Sequence, residues 1–64
     1  MDKVQFVCNI VEKINRHDNY TQEEINTAFS YFRELTMAGQ SFGSKADTMQ
    51  IGGLLSAALS EISK

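Results

Sequence analysis

Tyr20-Thr21-Gln22-Glu23-Glu24-Ile25 decides the reading of this chain, because it sets a hydroxyl three residues before a carboxylate and flanks the pair with apolar residues. In a helix start of this kind the Thr21 hydroxyl accepts from the Glu24 backbone N–H, and the Glu24 side chain accepts from the N–H of Thr21. Tyr20 and Ile25 occupy the positions of a hydrophobic staple around that box. Glu23 and Glu24 also put negative charge into the first turn, where the helix dipole favours it. Downstream, Ile25, Ala28, Phe29, Phe32 and Leu35 recur at helical spacing, and Gly39 follows Ala38 as a left-handed stop. The segment predicts a core helix over 22–38.

Two related signals bracket it. Asp2-Lys3-Val4-Gln5 predicts a first helix over 3–16, with Met1 and Phe6 as its staple. Val4, Val7, Val11 and Ile14 form its seam, and Cys8 beside them reads as a small buried apolar residue. Phe6 and Ile10 carry apolar surface further round, to an arc of about 200° that one neighbouring helix does not cover. Asp47-Thr48-Met49-Gln50 predicts a third helix over 48–62, although Ser44 with Asp47 offers a competing start three residues earlier. Here Ile51, Leu54, Leu55, Ala58 and Ile62 make the core stripe, while Met49, Gly52, Gly53, Ser56 and Ser60 lie on the other side.

That second face departs from the usual pattern. No charge stands between Asp47 and Glu61, and each interior glycine costs about 1 kcal/mol relative to alanine. Small residues spaced by four, Gly52 with Ser56 and Gly53 with Ala57, let another backbone approach closely. Three arrangements account for this: the third helix is the central one, covered on two sides by the others, or it meets a second molecule, or its glycines mark a hinge or frayed turn. Between the second and third helices, Gly39–Ala46 is a polar, glycine-containing loop whose one aromatic, Phe42, is expected to tuck under the bundle; projecting as an anchor is the other option.

At 64 residues the chain makes a single domain, 1–64, and one this size buries only about 60% of the surface its unfolded chain exposes. A lone cysteine allows no internal disulfide, so added burial must come from tight packing or from a partner. The expected fold is all-α, a small three-helix bundle, closed on itself or completed by homodimerisation. Strands are not expected, since the β-branched residues of the first helix fall at helical spacing.

Net charge −2 and an isoelectric point near 5.1 disfavour a protein built to neutralise phosphates. Lys3, Gln5 and Asn9 interrupt the apolar run a secretory signal would need, so a cytoplasmic location is expected. The longest uncharged stretch, Thr48–Ser60, has 13 residues, short of the roughly 20 that span a bilayer, so no membrane role is expected.

Chemical motifs fare poorly. Gly39-Gln40-Ser41-Phe42-Gly43-Ser44-Lys45 superficially resembles a phosphate loop, but three residues separate its glycines where that loop has four, Ser44 intervenes before Lys45, and a helix precedes it. Cys8 and His17 would stand about 13 Å apart along one helix, too far for a nucleophile and its base. Zinc lacks enough soft ligands. No catalytic residue, cofactor or metal ligand is assigned, no small-molecule substrate is evident, and an enzyme is not expected.

The expectation is therefore a non-enzymatic, protein-binding accessory or regulatory module (an inhibitor, adaptor or assembly chaperone) acting on a protein partner or on a second copy of itself. The residues expected to carry the contact are Phe6, Ile10, Phe42, Met49, Gly52, Gly53 and Ser56. Aromatic and Met side chains would supply anchors, and glycines a close approach. The alternative is a nucleic-acid-binding regulator using Lys13, Arg16 and His17 at the end of the first helix. Three cations are few, and the third helix is uncharged in its body, unlike a recognition helix.

Overall fold

The Thr21 box closes as its residues dictate: Thr21 Oγ1 accepts from the Glu24 N–H at 3.1 Å and Glu24 Oε1 accepts from the Thr21 N–H at 2.9 Å. The Glu24 carboxyl is held below its ordinary range by that backbone donor and by Lys13. The computed structural model describes residues 2–40 and 42–62, and in it this box opens the middle of three helices: α1 (Lys3–Asn15), α2 (Gln22–Met37) and α3 (Lys45–Ile62).

The other two starts differ from their sequence reading. At α1, Asp2 accepts from the Val4 N–H at 3.1 Å, but the Gln5 amide donates to Asn9 Oδ1, one turn on, at 2.9 Å. The cap is thus one-sided. The Met1 half of the expected staple lies outside the described residues. At α3, Asp47 is not the cap. Ser44 Oγ accepts from the Asp47 N–H and the Ser44 N–H donates to Asp47 Oδ2, so Asp47 is the reciprocating third residue of a box that begins three residues earlier. Thr48 reinforces the earlier start, its hydroxyl accepting from the Phe42 N–H and donating to the Ser44 carbonyl. Gly43 is at φ +99°, and a Cβ there would lie 3.0 Å from Asp47 Oδ2, so the chain can turn into this box only with glycine at that position.

Both helix ends that lead into loops use the same closure. After α2, Gly39 at φ 89° donates to the Thr36 carbonyl and Gln40 donates to the Leu35 carbonyl, the paired bonds of a Schellman stop. After α1, His17 donates to Ile14 and Asp18 to Lys13, but the left-handed position is held by His17 itself, at φ 59°. A side chain with a Cβ is strained there, and glycine is the usual occupant. His17→Gly is expected to stabilise the fold by about 0.5–1 kcal/mol, glycine's looser unfolded chain offsetting part of the relieved strain. Urea denaturation would check it; a loss of stability would mean that His17 makes a contact worth more than its strain.

Each helix contributes two residues to the buried core: Val7 and Ile10, Ile25 and Ala28, Leu55 and Ala58. Phe6, Val11, Ile14, Phe29, Phe32 and Leu59 are among the half-buried residues packed around it. All three helices touch, and α2 is the hub, packed broadly against α1 and α3, which meet each other over a narrower front. The arrangement is a three-helix bundle. Two placements on α1 are corrected by it. Ile10 is a core residue, 2% exposed, because the wide apolar arc of α1 is wrapped by two helices together. Cys8 is exposed, since one step along the helix from buried Val7 turns a side chain about 100° outward.

Candidate protein-binding surface

The seven residues expected to contact a partner divide between the bundle's interior and its surface. Ile10 is taken up by the core. Phe6 is half-buried and meets the Tyr31 ring edge-on, centroids 5.5 Å apart. The Lys3 ammonium lies 5.4 Å from the same Tyr31 centroid and bridges to Glu34 at 2.8 Å. Glu34 holds the Lys3 ammonium above its ordinary range. Phe6 is thus the base of a small cross-helix cluster joining α1 to α2. Phe42 tucks under the bundle, as expected, with its ring 5.3 Å from that of Phe32.

Gly52 and Gly53, adjacent in sequence, have opposite surroundings. A Cβ on Gly52 would come within 3.1 Å of Phe32 Cε2 and 3.3 Å of Cζ, so this glycine admits the α2 aromatic against the α3 backbone. The close approach inferred from small residues is intramolecular at this position. Around Gly53 nothing lies within 4 Å. Met49 is 68% exposed, and Ser56, Ala57 and Ser60 are exposed as well. Residues 49, 53, 56 and 60 follow i, i+4, i+7, i+11 spacing, a continuous uncharged stretch on the outer face of α3 that begins one turn after the exposed Lys45. Because α2 and not α3 is the hub, no other helix covers this face.

Sequence reasoning missed a second surface. Along the outer side of α2, Asn26, Phe29, Ser30, Arg33, Glu34 and Met37 line a shallow depression of about 360 Å³, and Met37 at 84% is more exposed than Met49, the other exposed large apolar side chain among the described residues. The signal was present in the spacing 26, 29, 33, 37, but Phe29 belongs to the core stripe as well and was assigned there alone.

Among the described residues no polar or charged side chain is buried, and no three His, Cys, Asp or Glu side chains gather where a metal ion would sit. The basic end of α1 is largely neutralised: Lys13 bridges to Glu24 at 3.0 Å and Arg16 to Glu12 at 2.5 Å. No described helix is long and apolar enough to cross a membrane. Comparison with protein families, curated proteins and solved structures finds no match to this chain.

Proposed function

We propose that the protein is a non-enzymatic accessory or regulatory module that binds a protein partner through the outer face of α3. The observation that carries this reading is the pairing of exposed Met49 with a glycine, Gly53, that has open space above it. An interior helical glycine costs about 1 kcal/mol against alanine, and the bundle gains no packing from Gly53 in return. A partner helix or strand laid over the face would recover that cost through close backbone approach, with Met49 as its adaptable anchor. A free, exposed Cys8 suits a reducing compartment such as the cytoplasm.

The test uses the open space itself. Gly53→Leu is expected to leave the bundle intact and stabilise it by about 0.5–1 kcal/mol through helix propensity, while removing at least about tenfold of the affinity for a partner captured from the native host, since a leucine holds the approaching backbone away. Calorimetry on the purified pair reads both effects. A variant that keeps wild-type partner affinity would overturn the reading.

A further inference from the structure

Arg33 and Lys45 are exposed, and among the described residues they are the lysine and arginine side chains without an ion-pair partner, since Lys3, Lys13 and Arg16 each hold a carboxylate. Each stands one helical turn before an exposed methionine, Arg33 before Met37 and Lys45 before Met49. Helix rotation sets both pairs on one side of the bundle. On α2, Tyr31 meets Phe6 of α1 and Phe32 fills the space beside Gly52 of α3, so the next step of about 100° in the same sense carries Arg33 past α3, away from α1. Met37 lies one turn on and about 40° further round. On α3, buried Leu55 lies about 60° to one side of Gly52, whereas Lys45, Ser56 and Met49 lie about 20°, 40° and 60° to the other, away from the core. The free cations and the exposed methionines therefore flank one seam, where α2 packs on α3.

Building on the α3 face as a partner surface, we propose that this seam docks an acidic amphipathic helix of a protein partner, its apolar stripe on Met37 and Met49 and its flanking carboxylates against Arg33 and Lys45. Charge complementarity selects that occupant. The chain is net −2, yet the seam's two cations are not offset: Glu34 beside Arg33 is engaged by Lys3, and Asp47, about 160° round α3 from Lys45, accepts from the Ser44 N–H. Methionine side chains adapt to an apolar stripe of any detailed shape, and Gly53 and Ser56 beside Met49 let the docked helix come close. Two cations are too few to hold a nucleic-acid backbone. An anionic bilayer, being extended, would meet the carboxylates of a net acidic chain as well.

The probe is a synthetic amphipathic helix as long as α3, 18 residues, with leucine along one stripe and glutamate beside it, compared with the same peptide carrying glutamine instead. Titrated into the isotopically labelled full chain at low salt, the glutamate peptide should bind with Kd below about 1 mM and shift the amide signals of Arg33, Met37, Lys45, Met49 and Gly53. The glutamine peptide should bind at least about tenfold more weakly. Arg33→Gln with Lys45→Gln should weaken the glutamate peptide by about tenfold, with the melting temperature held within about 4 °C. Lys13→Gln with Arg16→Gln, the same change of net charge at the end of α1, should leave its affinity unchanged. Vesicles of phosphatidylglycerol and single-stranded DNA should not bind. Equal affinity for the two peptides, a wild-type chain that takes neither, seam variants that bind as wild type, or tighter binding to vesicles or DNA would each overturn the proposal. Should Gly53→Leu weaken the peptide where the seam variants do not, the acidic partner falls and the α3 face stands. Should Gly53→Leu leave binding unchanged, the α3 face falls and the acidic partner with it.

Discussion

Leu55→Ala is expected to cost about 3 kcal/mol and to lower the melting temperature by about 12–24 °C. Leu55 is fully buried, enclosed by Val7, Ile10, Ile25, Ala28 and Ala58, so truncation removes methyl groups from the one place where all three helices meet. Two of the six core residues are already alanine, and helices this short relax incompletely into a void, which places the substitution in the ordinary range of buried leucine truncations, about 2–5 kcal/mol. The loss is large against the whole. A chain of this length has a total stability of about 3–10 kcal/mol, and with one cysteine no internal disulfide ties its helices together. Urea and thermal denaturation followed by far-ultraviolet circular dichroism give the value. A loss under about 1 kcal/mol would place the core elsewhere.

Gly52→Leu is the second large effect, and its neighbour is its control. The new Cβ would press on Phe32, which is itself backed by Phe42, so the ring cannot swing away without opening the loop that the Thr48 hydroxyl ties to Phe42 and Ser44. Overpacking of this kind costs about 1–3 kcal/mol, and the helix propensity gained on replacing glycine offsets about 1 kcal/mol of it. The net loss is up to about 2 kcal/mol. Gly53→Leu receives the same propensity gain with no clash, so the two adjacent substitutions should differ by about 2 kcal/mol with opposite signs. Equal effects in denaturant titrations would mean that α3 is rotated from the orientation described.

Several features of the fold were open to reading before any coordinates. The Thr21–Glu24 box and the Gly39 stop are local chemistry: each is a handful of backbone donors and acceptors satisfied within one turn, so the identities of the residues suffice. Asp47 shows where local reasoning divides. Its carboxylate serves equally well as a cap for the following turn or as the reciprocating group of an earlier one, and Thr48 and Gly43 tip the balance by tying the loop into the Ser44 start. Gln5 shows the same competition settled by Asn9 one turn away.

The candidate surfaces were less legible, because burial is a property of arrangement. Nothing in the spacing of Phe6, Ile10 and Cys8 says which edge of a wide apolar arc will be covered; the joint approach of α2 and α3 buries Ile10, half-buries Phe6 and leaves Cys8 outside. Gly52 and Gly53 are the same residue type at consecutive positions, and helix rotation of about 100° between them makes one a packing site and the other open surface. The depression on α2 could not be found from a core stripe to which Phe29 also belongs.

The amino-acid sequence by itself determined that the chain forms three helices, where the second begins and stops, and that α3 has an uncharged side, since these follow from side-chain identity and helical periodicity over a few turns. Only the tertiary structure decided that α2 is the hub, that Ile10 is core and that Met49, Gly53 and Met37 face outward. Those outcomes depend on the packing of residues far apart in the chain, where many arrangements satisfy the same periodicity and the competition to bury the most apolar surface selects among them.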